Sequence, residues 1–313
     1  MKTYIFLFVA AFTQGGLFSV ANAQKTIAER LGYDKNAKLL IIHADDLGDA
    51  HSQNVASIKA MENGVVSSAS IMMPTPWVSE IIHYALAQKS QPDFGLHLTL
   101  TSEWKYYKWG PVASVDPSTG LVGPNGYFYD NCETLKNVPL EVIRAELEAQ
   151  IAMAYKMGLK PTHFDSHMRC LFDIRPEVFG LYIEMGRKYH VPVMLSQEFL
   201  DAQPECAKYV HPDDLVPTSV MSASPEDFKK GMPQYYENMF KNLKPGGFYV
   251  VAIHTAFDDV EMQSICVDHP DWGSAWRQAD YDFFTSKDAA KLLKQNDIQV
   301  ITWGDIGKLM AKK

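Results

Sequence analysis

The chain has 313 residues, 47% hydrophobic and 21% charged, a composition that excludes a disordered, collagenous or coiled-coil protein. Its net charge is −8, from 29 basic and 37 acidic residues, and no basic run exceeds two residues, which argues against a nucleic-acid partner. The length allows one barrel-sized domain or two medium ones.

Lys2 precedes an apolar run at 4–12, a weaker one at 16–20, and Ala21-Asn22-Ala23. A positive start, an apolar stretch and an A-x-A site predict a secretory signal peptide, residues 1–23, cleaved after Ala23. Thr13, Gln14 and two glycines interrupt the run, which makes it a poor membrane span. The mature domain is then 24–313, exported to the periplasm or the extracellular medium. No later segment reaches about 18 uninterrupted apolar residues, so no membrane insertion is expected after cleavage.

Residues 38–44 form a short apolar run ending in polar groups, the pattern of a buried parallel strand. A helix follows at 52–63, with Gly64 closing it, then a strand at 65–72, a helix at 77–88 and a strand at 94–100. From 101 to 139 the periodicity stops, and Tyr, Trp, Gly, Pro and Asn accumulate. Such long connections are usually functional or mobile. Trp104, Tyr106, Tyr107, Trp109, Tyr127 and Tyr129 there either stack on sugar rings or pack the loop onto the domain. Further helices are expected at 140–157, 176–189, 225–242, 287–294 and 306–310, and strands at 161–166, 191–195, 247–254 and 298–303, with a second irregular stretch at 201–224. Strand–helix alternation without a linker or repeat predicts an α/β fold: a single (β/α) barrel, TIM-barrel-like, with seven parallel strands and its site at their C-terminal ends. Cys132, Cys170, Cys206 and Cys266 form no CxxC pair, which disfavours a cysteine zinc site. Buried thiols and a single bridge both remain open, and so does the oligomeric state, a homodimer included.

Four strand ends carry titratable groups. The first is His43-Ala-Asp45-Asp46. Adjacent carboxylates on an extended segment point to opposite sides, and serve one site only where the strand gives way. The second, His97 between two leucines, is either a satisfied core histidine or a ligand. In the third, His163, Asp165 and His167 share one strand face by period-two alternation, and burying three such groups is costly without a partner. The fourth is His254, which ends the apolar run 248–253 and precedes Asp258 and Asp259. Together they suit a divalent ion held by one carboxylate and two imidazoles, with positions left for water and substrate. This chemistry hydrolyses an amide or an ester.

Four segments resemble, in order and approximate spacing, the YdjC/ChbG-like carbohydrate deacetylases, relatives of the polysaccharide deacetylases. They are Leu-Leu-Ile-Ile-His-Ala-Asp-Asp-Leu-Gly (39–48), Asn-Gly-Val-Val-Ser-Ser-Ala-Ser-Ile-Met-Met (63–73), Gly-Leu-His-Leu-Thr-Leu-Thr (95–101) and Pro-Thr-His-Phe-Asp-Ser-His (161–167), with weaker matches at 253–257 and 277–286. The resemblance implies a (β/α) barrel, one Mg²⁺ or Zn²⁺ ion, and N-acetylated sugars such as chitooligosaccharides as substrates. It implies Asp46, His97 and His167 as metal ligands, Asp45 as catalytic base and His254 as acid. His163 and Asp165 are expected to orient His167, while His43, Arg169 and Arg277 stand behind the ligands or against the substrate. The family's further histidines after 167 are replaced by Met168-Arg169, and its usual proline after the acid is Thr255. Arg169 either binds an anionic group or pairs with a neighbouring carboxylate. An O-acetyl esterase, another metallohydrolase and a non-catalytic glycan-binding protein are the alternative readings.

Overall fold

The computed structural model describes residues 25–212 and 214–310. The expected signal peptide, 1–23, lies outside them. Seven strands form one sheet: β1 (Lys38–Leu47), β2 (Ser68–Ile71), β3 (Phe94–Leu98), β4 (Phe164–Ser166), β5 (Ser219–Met221), β6 (Phe248–Ile253) and β7 (Ile298–Val300). Every ladder is parallel, in the order β4-β3-β2-β1-β6-β5. β6 pairs with β1 from Leu39 to Ala44; on the other edge β7 takes Lys38 to Leu40 and β2 takes over at His43.

The expected closed barrel is thus an open half-barrel, with β4 and β5 as its end strands. The seam explains why. Residues 191–195, expected as a strand, make only the bridge Phe164↔Val193, because Pro192 lacks an N–H and β4 is only three residues long. The seventh strand is β5 instead, inside the stretch expected to be irregular. The expected helix 225–242 is two, Pro225–Lys230 and Met232–Asn242, broken at Gly231, whose φ of 109° no helix admits. A helix the apolar periodicity did not reveal, Ser274–Phe284, packs Trp276 on Phe228 and Phe283 and Phe284 on Tyr236, and carries Arg277 and Asp280 among its buried residues. Among the described residues, no helix is long and apolar enough to cross a membrane.

Period-two alternation gives the sheet its two faces. Leu40, Ile42 and Ala44 pack outward into the main core, while Leu39 and Ile41 pack inward with Phe248, Val250 and Trp303. The inward column of β1 then continues to His43 and Asp45. Along β1 the interior therefore changes character, apolar at the bottom and polar at the C-terminal end. On β2 the inward residues are Ser68 and Ser70, and on β3 they are Gly95 and His97, all buried. Gly95 leaves room for a neighbour, since a Cβ there would lie 2.4 Å from the His163 ring.

The 101–139 segment is packed, not open. Trp104, Trp109, Leu121, Val122 and Phe128 are buried, while Tyr106 and Tyr127 remain exposed. A disulfide, Cys132–Cys170, ties the segment to the chain just after β4, and Cys206 and Cys266 are buried thiols.

Candidate metal and catalytic site

The first cluster exists because β1 bulges. Ala44 faces Ala69 and Leu47 faces Ile71, so Asp45 and Asp46 together stand opposite Ser70. Asp46 takes a left-handed backbone, φ 68°, which is uncommon for a non-glycine residue. The bulge turns two adjacent carboxylates to one side without ending the strand.

Asp46 Oδ1 is a buried oxygen without a hydrogen-bond partner. It lies 3.3 Å from His97 Nε2 and 3.2 Å from His167 Nδ1. Tetrahedral ligands about 2.0–2.1 Å from one ion stand about 3.3–3.4 Å apart, so these residues fit a divalent ion. Each imidazole also has a carboxylate behind it: His97 Nδ1 is 2.9 Å from Asp165 Oδ1, and His167 Nε2 is 3.0 Å from Glu103 Oε2. This arrangement fixes ring orientation and directs the free nitrogen to Asp46. Asp45, His97 and Asp165 also converge, but Asp165 Oδ2 is engaged by His43 Nε2 at 2.8 Å and by the Ser70 hydroxyl at 2.7 Å. The Asp46 set is the one in which two imidazole nitrogens converge on a single unpartnered carboxylate oxygen.

The charges agree with this arrangement. Burial opposes ionisation of Asp46, but the Arg277 guanidinium and the neighbouring His167 and His97 rings outweigh it and hold the carboxyl well below its usual range. Burial likewise opposes the imidazolium of His167, yet Glu103 and Asp46 raise it to about 9. Arg277 is itself buried. It donates to Asp46 Oδ2 at 2.8 Å, to Gln53 Oε1 at 2.6 Å and to the Trp272 carbonyl at 2.7 Å.

Asp45 and His254 form the accessible side. Their side chains are 11% and 17% exposed, against 3–5% for Asp46, His97 and His167. His254 Nε2 is 3.8 Å from both Asp45 Oδ2 and Asp46 Oδ2. Its backbone N–H donates to Asp280 at 3.0 Å, which fixes the end of β6. Burial holds the His254 ring below its ordinary value, with Asp46 opposing.

The structure gathers Asp45, Asp46, His97, His167, His254, His43, Asp165 and Arg277. Two expected roles change. His163 and Asp165 do not orient His167, because β4 ends at Ser166 and His167 enters a helical turn, so the period-two face stops there. Asp165 instead backs His97, and His163 lies one level lower, stacked 5.3 Å from Trp303. Arg169 stands outside the cluster and pairs with Asp173 at 3.3 Å. Sequence reasoning missed Glu103, Gln53, Ser70 and Asp280. For Glu103 a signal existed, an acidic residue just beyond the C-terminal end of a buried strand.

The model of the family described as YdjC-like protein matches residues 39–295. A Thermus thermophilus protein named carbohydrate deacetylase is 29% identical over 286 residues, covering 88% of this chain and 96% of the relative. A carbohydrate deacetylase of Thermoanaerobacter pseudethanolicus is 28% identical, with 83% and 96% covered. A Yersinia pestis chitooligosaccharide deacetylase is 29% identical over 162 residues, 51% of this chain and 60% of that one. A crystal structure of an Enterococcus faecalis protein, provisionally described as a cellobiose-phosphate cleavage protein, shares the fold with a TM-score of 0.71 at 23% identity, over 86% of this chain and 99% of that one.

Proposed function

The chain belongs to the YdjC-like protein family, and from that premise we propose that it is a metal-dependent hydrolase that removes acetyl groups from N-acetylated sugars. The observation that carries the reading is the unpartnered Asp46 Oδ1 facing two imidazole nitrogens, each backed by its own carboxylate, with Asp45 and His254 on the accessible side. Asp46, His97 and His167 would hold the ion, and two nitrogen donors favour Zn²⁺ over Mg²⁺, which prefers oxygen. Once bound, the ion supplies positive charge that polarises the acetyl carbonyl and acidifies water.

The protein's own groups do the rest. Asp45 accepts the proton of the attacking water through Oδ2, the oxygen turned toward His254. Hydroxide adds to the acetyl carbon, the C–N bond breaks, and acetate and a free amine leave. His254 gives the amine its proton, and its depressed basicity makes that proton easy to release. The 3.8 Å between Asp45 Oδ2 and His254 Nε2 lets a small approach return the water's proton to the imidazole. Arg277 holds Asp46 in place from behind. The reading includes export: residues 1–23 direct the chain out of the cytoplasm, and the Cys132–Cys170 disulfide supports an oxidising destination.

The test is acetate release from N-acetyl chitooligosaccharides and O-acetylated oligosaccharides side by side, with Zn²⁺, Mg²⁺ or chelator. N-acetyl substrates should turn over and chelator should stop them. Asp45→Asn should keep its metal and lose turnover. Turnover confined to O-acetyl substrates would replace the reading with an esterase.

A further inference from the structure

His43 is fully buried, so it meets no substrate, and it is not among the three ligands. It nevertheless occupies the junction of the site. Its Nε2 lies 2.8 Å from Asp165 Oδ2, 3.1 Å from Asp45 Oδ1 and 3.1 Å from Ser70 Oγ. On the far side of the ring, Nδ1 lies 3.2 Å from Ser68 Oγ, and the His163 ring closes the remaining flank edge-on at 4.8 Å. Contacts on both nitrogens prevent the ring from turning. Asp45 Oδ1, by contrast, is buried without a hydrogen bond, and the ionisable nitrogen beside it is His43 Nε2 at 3.1 Å. The other carboxylate oxygen, Oδ2, is the one facing His254.

We propose that His43 is a positioning residue that anchors Oδ1 of Asp45, so that Oδ2 is the oxygen presented to the reacting water. The inference rests on the reading of Asp45 as the base. Period-two alternation supplies the geometry, because residues 43 and 45 share the inward face of β1 and the bulge then tips the Asp45 carboxylate over the ring. A misplacement of about 1 Å in a reacting group costs about 100-fold in rate, the order of effect expected when the anchor is removed.

The experiment compares His43→Gln and His43→Asn in the metal-loaded enzyme on an N-acetyl chitooligosaccharide. The expected result is a kcat lower by about 100-fold, with KM and bound metal unchanged. A kcat within twofold of the unsubstituted enzyme would overturn the proposal. So would a loss of bound metal in step with rate, which would place His43 behind His97 instead. A second measurement does not depend on turnover: the Nε2-bound proton of His43, followed by NMR in the metal-free chain. Its resonance should move when Asp45 becomes Asn, and a resonance that stays put refutes the contact. If Asp45→Asn alone leaves acetate release intact, the base assignment fails. If it abolishes release while both His43 variants stay at full rate, only the present inference fails.

Discussion

Replacing Arg277 by Met tests how the site stores its charge. The guanidinium is fully buried and its shortest charged contact is Asp46 Oδ2 at 2.8 Å. Removing one partner of a buried pair leaves the other charge uncompensated and costs about 3–5 kcal/mol. Gln53 Oε1 and the Trp272 carbonyl lose their donors as well, so the upper half of that range is expected. At about 2–4 °C of Tm per kcal/mol, the metal-free variant should melt about 8–20 °C below the unsubstituted protein. A divalent ion beside Asp46 supplies the missing positive charge. Saturating Zn²⁺ should therefore raise the variant's Tm by more than it raises the parent's, closing part of the gap. The assay is calorimetry of both proteins with chelator and with Zn²⁺. Arg277→Lys, which keeps the charge but not the planar fork, should fall between the two. A loss below about 1 kcal/mol, or an equal Zn²⁺ increment in both proteins, refutes the account of Asp46 as a carboxylate held ionised by Arg277 and shared with an ion.

Other consequences can be measured in the same way. The Cys132–Cys170 bridge closes a loop of 38 residues, and replacing both cysteines by Ser should cost about 4 kcal/mol, read by denaturant unfolding; an unchanged midpoint counts against the bridge. Gly95→Ala places a methyl 2.4 Å from the His163 ring, so a destabilisation of about 1–3 kcal/mol is expected, and a neutral result would mean that the ring is free to move. Burial raises Asp280 to about 7, opposed by donors including the His254 N–H and Tyr236. A raised carboxyl contributes stability that is complete below its unfolded value, about 4, and is lost as pH rises through 7. The parent should therefore lose stability relative to Asp280→Asn between pH 4 and pH 7, and parallel curves over that range contradict the shift.

The sequence alone determined which strand ends carry chemistry. A short apolar run that ends in Asp, His or Asp-x-His is legible because local alternation decides which side chains a buried strand can leave polar. Asp45, Asp46, His97, His167 and His254 were all visible in that way. The tertiary structure decided which of them touch. Period two placed His163, Asp165 and His167 on one face, but the strand ends one residue too early for that, and register carries Asp165 to His97 instead. Registration decided the seam too: a seventh strand was expected at 191–195, yet pairing formed at Ser219–Met221, where a parallel edge of β6 was available. The helix Ser274–Phe284 escaped the apolar periodicity because its buried stripe contains Arg277 and Asp280, charges tolerated inside only where Asp46, Gln53 and Tyr236 meet them. Glu103 and His43 belong to the same class. A buried charge is defined by partners distant in the chain, here 64 residues from Glu103 to His167 and 122 from His43 to Asp165, and no local pattern encodes such a meeting.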